Sequence, residues 1–184
     1  MIVLITGASH TGKTLLAQRL LERTGFPYLS IDHLKMGLIR SGNTALTPAD
    51  DEALTDYLWP IVREMIKTAI ENGQNLIVEG CYVPFGWRMD FGERYLREIR
   101  FICLAMTDAC INANFDAIRA HASDIEARLD DSWCSPARLK EENRFYREGF
   151  RACGEEVILI GGDYADTIEK LIAEKIDPPQ DAEK

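Results

Sequence analysis

The sequence predicts an α/β fold, in which a five-stranded, mostly parallel sheet is covered by helices on both faces. Short apolar runs alternate with longer helical stretches along the whole chain. The apolar runs are four to eight residues long and rich in leucine and β-branched residues, a composition typical of strands buried on both faces. Since no internal repeat or Ser/Gly-rich linker interrupts this alternation, we expect a single domain over residues 1–176.

Five apolar runs are the predicted strands, in chain order Ile2–Thr6, Pro27–Ile31, Asn75–Val78, Ile99–Met106 and Glu156–Ile160. Between them, apolar residues recur every three or four positions, as in Leu16 and Leu20, which indicates amphipathic helices. The longer predicted helices are Lys13–Thr24, Pro48–Asn72, Thr107–Ser123, Ser135–Cys153 and Tyr164–Ile176, with a shorter one over Leu34–Arg40. Pro60 predicts a kink or two abutting helices within the second of these, because proline clashes with an unbroken helix. The tail 177–184, with two prolines and no apolar anchor, is expected to be disordered.

The charge balance argues against nucleic acid and membranes as partners. Thirty acidic residues against 21 basic ones give a formal net charge of −9, which opposes broad attraction to polyanionic backbones or anionic lipid. Neither the first apolar run, Ile2–Ile5, nor the longest later one, Phe101–Met106, is long enough for a secretion signal or a membrane span. The five cysteines include no C-x-x-C pair, which is typical of reduced thiols, so a cytoplasmic protein is expected.

One motif carries strong functional information: residues 7–14 read G-A-S-H-T-G-K-T and match the phosphate-loop pattern G-x-x-x-x-G-K-[ST]. It lies between a predicted strand and an amphipathic helix, where backbone N–H groups and the positive helix end can meet a phosphate chain. Lys13 would bridge the outer phosphates of ATP, and the Thr14 hydroxyl would bind the accompanying Mg²⁺. The alternative is a glycine-rich turn that only caps a helix. The expected nucleotide contacts are Gly7, Ser9, His10, Thr11, Gly12, Lys13, Thr14 and Leu15, with no catalytic role for His10.

Two acidic residues follow predicted strands at the edge where this loop lies. Asp32 follows the strand that ends at Ile31, and Glu79 follows the strand that ends at Val78. A carboxylate at the end of a buried strand suits magnesium coordination or the orientation of an acceptor hydroxyl, because the strand fixes its position. We therefore expect both acids near the metal, with Asp32 also a catalytic and substrate-binding candidate. The alternative is that each acid only caps the helix or loop that follows it.

With these motifs, the chain resembles the small P-loop kinases, the group that holds adenylate kinase, shikimate kinase and the zeta-toxin-like kinases. Asp32-His33-Leu34-Lys35 and Ile39-Arg40-Ser41-Gly42 are similar to the D-x-L-R and K-S-G stretches of adenylate kinases, and Glu79-Gly80 occupies the place of their D-G. The resemblance spans nearly the whole chain. It implies a three-layer fold with the sheet order 2-3-1-4-5, Glu79 beside the phosphate loop and Asp32 one strand further out. From the zeta-toxin-like kinases it also implies that Asp32 is the base for a hydroxyl acceptor.

Departures from adenylate kinases leave the acceptor open between a metabolite hydroxyl and a phosphate group. Their D-G-F-P-R signature is replaced by E-G-C-Y-V-P-F-G-W-R over residues 79–88. The segment available for a lid, about 119–136, is short and more similar to that of shikimate kinases. Phe85 and Trp87 either line an acceptor pocket or simply pack this loop. The substrate-side candidates are Asp32, Lys35, Arg40, Tyr82, Arg88 and Arg138.

Arginines in and beside the lid segment are candidates for clamping the transferred phosphoryl group as the lid closes. Arg119, Arg128 and Arg138 are similar to lid arginines of the resembling kinases, and Arg128 begins an R-x-D-D stretch. Arg119 alternatively stacks on adenine, and Gly162 lies in a G-G-D turn that corresponds to the adenine edge of those enzymes. The other interpretation of the arginines is that they pair with neighbouring acids.

The function expected from these features is transfer of the γ-phosphoryl group of ATP, with Mg²⁺, to a small-molecule acceptor. A nucleotide-dependent switch or an ATPase regulator is the alternative. The D-x-x-G and N/T-K-x-D motifs that a GTPase needs do not occur in the chain. No sequence pattern indicates an oligomeric state.

Overall fold

A computed structural model of the chain describes residues 1–120 and 134–176. Five parallel strands form a sheet in the order β2-β3-β1-β4-β5, which confirms the order that the resemblance implies. The strands are β1 (Ile2–Gly7), β2 (Tyr28–Ser30), β3 (Leu76–Glu79), β4 (Ile99–Met106) and β5 (Val157–Ile160). The bounds of β4 are as predicted, and the other strands differ from the prediction by one residue at one or both ends.

The helices of the described residues are α1 (Lys13–Thr24), α2 (Ile31–Arg40), α3 (Asp51–Glu71), α4 (Glu93–Leu96), α5 (Asp108–Ala120), α6 (Pro136–Ala152) and α7 (Tyr164–Lys175). A 3₁₀ turn over Trp87–Asp90 precedes α4. α5 bends at Asn114, whose φ and ψ of −124° and 16° are not helical. The predicted tail 177–184 and most of the predicted lid segment lie outside the described residues.

Side chains of β1 alternate between two apolar cores, one on each face of the sheet. Ile2 and Leu4 belong to a core shared with α3, whereas Val3 and Ile5 belong to a core shared with α1 and α7. This burial on both faces explains why the strands read as continuous apolar runs. It also places β1 at the centre of three layers, with β3 and β4 on either side of the loop that follows it.

Of the two outcomes expected at Pro60, a kink or two abutting helices, the second is not found. α3 continues through this residue as one helix of 21 residues. Proline removes the partner of the Asp56 carbonyl, but both Pro60 and Asp56 are exposed, so water can bind that carbonyl. Buried Leu58 and Val62 on either side hold the helix against the core.

Aromatic side chains after β3 pack their loop onto the core. Trp87 is fully buried and stacks on Phe101 of β4, with ring centroids 5.1 Å apart. Phe85 packs against the aromatic side chains of α6. Trp59 of α3 donates a hydrogen bond from Nε1 to the Asp90 carboxylate at 2.7 Å. Phe85 and Trp87 were expected either to line an acceptor pocket or to pack the loop, and these contacts favour the packing role.

None of the described helices has the length and apolar content needed to cross a bilayer. The five cysteines all lie within the described residues and form no disulfide there. Burial raises the pKa of the Cys103 thiol to about 12, so this side chain stays protonated near neutral pH.

Asn143 ties α6 to the carboxyl end of β4. It is 1% exposed, its Nδ2 donates to the Leu139 carbonyl at 2.7 Å, and its Oδ1 accepts from the Met106 N–H at 2.6 Å. The second bond satisfies a backbone donor that would otherwise be buried without a partner. Asn143 thereby fixes the position of α6 relative to the sheet edge.

Asn143→Ala is expected to lower the free energy of unfolding by about 2–3 kcal/mol, because it leaves the buried Met106 N–H unsatisfied. Denaturant titration measures this loss. Asn112→Ala, at an exposed position of α5, is the control and is expected to change stability by less than about 0.5 kcal/mol. Equal stabilities of the two variants would show that the Asn143 contact does not hold α6.

Candidate active site

The loop between β1 and α1 lies at the carboxyl edge of the sheet, and its backbone explains the glycine spacing of the motif. His10 (φ 62°) and Gly12 (φ 76°) adopt left-handed conformations, which curve the main chain as in anion-binding nests. Gly7 has a φ of 136°, and a Cβ atom there would lie 2.0 Å from the Leu104 carbonyl oxygen. Only glycine therefore fits at the end of β1.

Lys13 begins α1 and directs its ammonium back to the loop. Nζ donates to the Ala8 carbonyl at 2.8 Å, and the buried Thr11 hydroxyl donates to the same oxygen at 2.8 Å. A phosphate oxygen would be a stronger partner for Lys13 than this carbonyl, because hydrogen bonds between two ionised groups are the stronger ones. The ammonium is thus already placed at a site where an anion can take over its bond.

Glu79 ends β3 beside β1, where it lies opposite Ile5 in the parallel register. The residue is 1% exposed, and the Thr14 hydroxyl donates to its Oε2 at 3.4 Å. Carboxylate and hydroxyl oxygens suit Mg²⁺, which in phosphate sites takes one or two protein ligands and otherwise water and phosphate. A larger group of His, Cys, Asp or Glu side chains able to hold a metal does not occur in residues 1–120 and 134–176. The residues present at Thr14 and Glu79 fit the predicted ion.

α6 contributes a residue to this loop that the sequence analysis missed. Glu142 Oε1 accepts hydrogen bonds from both the backbone N–H and the hydroxyl of Ser9, each at 2.8 Å. The two residues are 133 positions apart. Glu142 directly follows Glu141 in a polar stretch of α6, and no local pattern distinguishes one of these acids from the other. Only the tertiary structure identifies the contact.

A hydrogen-bonded chain of polar side chains lies at the ends of β2 and β3. Asp32 Oδ1 accepts from Lys35 Nζ at 2.5 Å, and the same ammonium donates to the Tyr82 hydroxyl at 2.8 Å. The Tyr82 hydroxyl in turn donates to Asp51 Oδ1 at 3.2 Å. Ser30 is the N-cap residue of α2, so the capping alternative does not describe Asp32. Its carboxylate is one-third exposed and accessible to a ligand.

The segment after β3 positions Tyr82 in this chain. The Tyr146 hydroxyl of α6 donates to the Cys81 carbonyl at 2.9 Å, which fixes the backbone. Burial raises the pKa of Cys81 to about 12, and the charge of Asp32 contributes. Burial also raises the pKa of Tyr82 above its ordinary value. Because both groups stay protonated near neutral pH, neither the Cys81 thiol nor the Tyr82 hydroxyl is the candidate base.

Several predicted site residues are exposed at the surface of the protein. Arg40 is exposed at the end of α2, Arg138 is exposed in the first turn of α6, and Gly162 is exposed in the turn before α7. Arg119 is exposed near the end of α5, with its guanidinium carbon 5.9 Å from the Phe115 ring centroid. No described hydrogen bond joins these four residues to the hydrogen-bonded groups described above. Arg128 lies outside the described residues.

Arg88 lies away from the phosphate loop. Both ends of its guanidinium contact the buried carboxylate of Glu155, which precedes β5 at the amino edge of the sheet. The guanidinium also lies over the Trp87 ring, 4.9 Å from its centroid. The structure therefore does not bring Arg88 together with Lys13 and Glu79.

Tyr164 of α7 supports the loop at Gly12. Its hydroxyl donates to the Gly12 carbonyl at 2.7 Å, and a Cβ atom on Gly12 would lie 2.4 Å from that hydroxyl oxygen. Gly25, at the other end of α1, has a similar φ of 72° with no atom within 4 Å of a Cβ position. The two glycines thus share a backbone conformation but differ in their surroundings.

Gly12→Ala is expected to lower the free energy of unfolding by about 3 kcal/mol, since it adds a clash with Tyr164 to the cost of a left-handed alanine. Gly25→Ala carries the backbone cost alone, about 1 kcal/mol. Chemical denaturation of both variants measures the difference. A loss at Gly12 no larger than at Gly25 would contradict the close packing of Tyr164 on the loop.

No protein-family model and no curated protein matches the chain. Solved structures match it over nearly its full length. A shikimate kinase from Bacteroides thetaiotaomicron aligns with a TM-score of 0.56 and 13% identity over 94% of this chain and 96% of its own. A deoxyadenosine kinase from M. mycoides aligns at 0.54 and 12% over 94% and 97%, and a sugar kinase from Janibacter sp. at 0.51 and 18% over 96% and 94%. Together with the strand order, this likeness shows that the chain has the fold of the small P-loop kinases.

Proposed function

We propose that this protein is an ATP-dependent kinase that transfers the γ-phosphoryl group to a hydroxyl or phosphate group of a small molecule. The observation that carries the proposal is the arrangement of Lys13, Thr14 and Glu79 at a phosphate loop with the backbone curvature that its motif requires. The names of the aligned shikimate, deoxyadenosine and sugar kinases support the same class of reaction. The acceptor differs among those three proteins, so their names do not select one for this chain.

In the proposed reaction, the loop backbone and Lys13 bind the phosphate chain of ATP. Gly7, Ser9, His10, Thr11, Gly12 and Leu15 complete the proposed nucleotide contacts. Thr14 and Glu79 would hold Mg²⁺, which when bound neutralises charge on the phosphate oxygens. Glu79 has its backbone fixed by the place of β3 in the sheet, between β1 and β2, and its carboxylate is already within reach of the Thr14 hydroxyl.

Asp32 is the proposed base, and it is also proposed to lie near the metal, together with Thr14 and Glu79. Its carboxylate would accept the proton of an acceptor hydroxyl as the oxygen attacks the γ-phosphorus. Lys35 holds this carboxylate in place, and Tyr82 holds Lys35. If the acceptor is a phosphate group, Lys35 and Arg40 are the nearby cations proposed to bind it.

The remaining arginines have proposed roles at the closing side of the site. Arg119, Arg128 and Arg138 are proposed to approach the transferred group or the acceptor, and Arg119 or Gly162 to contact adenine. Arg88 is left out, because Glu155 holds its guanidinium at the opposite edge of the sheet.

The proposal is tested by incubating the protein with ATP, Mg²⁺ and fractionated pools of small metabolites. A kinase produces a compound whose mass increases by one phosphate, and the Lys13→Ala variant serves as the blank. ADP formation without any phosphorylated product, over pools of sugars, nucleosides, nucleotides and hydroxy acids, would instead favour an ATPase.

A further inference from the structure

The geometry points to Glu142 as a competitor of the phosphate chain: its carboxylate occupies part of the loop until a nucleotide displaces it, and so limits the affinity for ATP. This inference rests on the proposed function, because it takes the loop to be an ATP site. The phosphate-loop motif, which covers residues 7–14, does not include this residue.

The contact uses the donors that an incoming phosphate needs. The Ser9 N–H belongs to the loop whose main-chain N–H groups the motif provides for phosphate oxygens. Both this N–H and the Ser9 hydroxyl donate to a single oxygen of Glu142, at 2.8 Å each. Lys13 at the same time donates to the Ala8 carbonyl. A carboxylate oxygen and a backbone carbonyl thus satisfy donors that the proposal assigns to ATP.

Because of their like charges, the Glu142 carboxylate and a bound phosphate chain cannot both lie against Ser9. The phosphate chain of ATP carries several negative charges, and a carboxylate that stayed within hydrogen-bonding distance of Ser9 would repel them at close range. The carboxylate must therefore leave Ser9 when a nucleotide binds, and part of the binding free energy is lost in displacing it.

The displacement needs only the side chain of Glu142 to move. Asn143, the next residue, is held in the core by its bonds to Met106 and Leu139. This anchor keeps the α6 backbone in place, whereas Glu142 itself is only partly buried. A rotation of its side chain toward solvent clears Ser9 without moving the helix.

Glu142→Gln tests this role, because glutamine keeps the size and one acceptor oxygen but removes the charge. We expect the Kd of ATP and of ADP, measured by isothermal titration calorimetry, to fall about tenfold, a typical effect of removing one close charge repulsion. The KM for ATP should fall accordingly, with kcat unchanged. Glu141→Gln, at the exposed neighbouring position, is the matched control and should leave both constants as in the wild type.

Unchanged or weaker nucleotide binding by Glu142→Gln would overturn the inference, as would an equal gain in Glu141→Gln. A lower kcat at an unchanged Kd would assign Glu142 to the chemical step instead. Glu142→Ala removes the carboxylate together with both of its bonds to Ser9 and leaves the donors of the loop intact, so a gain in affinity of similar size is expected if the glutamine variant does not fold. A wild-type protein that binds neither ATP nor ADP would refute the proposed function itself, which separates that failure from a failure of this inference.

Discussion

Lys13→Ala is expected to reduce phosphoryl transfer by about three powers of ten or more, the scale on which cations that contact the transferred group act. Lys13 is the first residue of α1, and its ammonium already reaches the loop at the Ala8 carbonyl. Removing it takes away the one ammonium that the structure places at the loop among the described residues. Production of ADP in the presence of an identified acceptor measures the effect, and calorimetry with ATP measures the accompanying loss of affinity.

The control for this variant is a lysine of the same charge outside the site. Lys170→Ala removes a lysine from an exposed position of α7, where its ammonium pairs with the Asp166 carboxylate. This variant should leave the transfer rate unchanged. Unfolding experiments should show similar stabilities for both variants, because the Lys13 side chain forms its bond within the loop. A rate near that of the wild type for Lys13→Ala would refute the proposed nucleotide site.

The parts of the fold that sequence predicts well are those governed by local patterns. The bounds of α1 and β4 agree with the prediction. The phosphate-loop motif marks the start of α1 and the spacing of its apolar residues marks its length, whereas a single apolar run marks β4. The strand order is a different case. It was implied by the resemblance to P-loop kinases, since no residue pattern by itself states which strands are neighbours. Pro60 does not divide α3 into two helices, because water can bind the Asp56 carbonyl at this exposed part of the helix in place of the bond that proline removes.

The residues of the candidate site likewise fall into those that a local sequence pattern predicts and those that only the tertiary structure reveals. Lys13 and Thr14 are found from a contiguous motif, and Glu79 from its position at a strand end. The contact of Glu142 with Ser9 joins segments 133 residues apart, and a glutamate on a polar helix face carries no sign of it. Arg88 shows a second limit of the sequence: its position in the loop after β3 did not reveal that Glu155 holds its guanidinium at the amino edge of the sheet.

Asp32→Asn is expected to reduce the rate of transfer to a hydroxyl acceptor by about 10²–10⁴-fold, the usual contribution of a general base. The affinity for ATP should change much less, since no hydrogen bond of Asp32 reaches the loop among those described for its carboxylate. Asparagine keeps the size of the side chain and can still accept a hydrogen bond from Lys35. The measurement is the split between kcat and the Kd of ATP.

Two comparisons separate the role of a base from a structural one. Asp51→Asn changes the far end of the same hydrogen-bonded chain, where the Tyr82 hydroxyl donates to an exposed carboxylate. If Asp32 acted only by holding Lys35 and Tyr82 in place, the two variants would lose activity to a similar degree. If Asp32 accepts the proton, its loss should exceed that of Asp51→Asn by at least about tenfold and should not be recovered by raising the ATP concentration. An equal fall in transfer rate and ATP affinity would make Asp32 a structural residue of α2, and the base would then have to be sought in another side chain at this edge of the sheet.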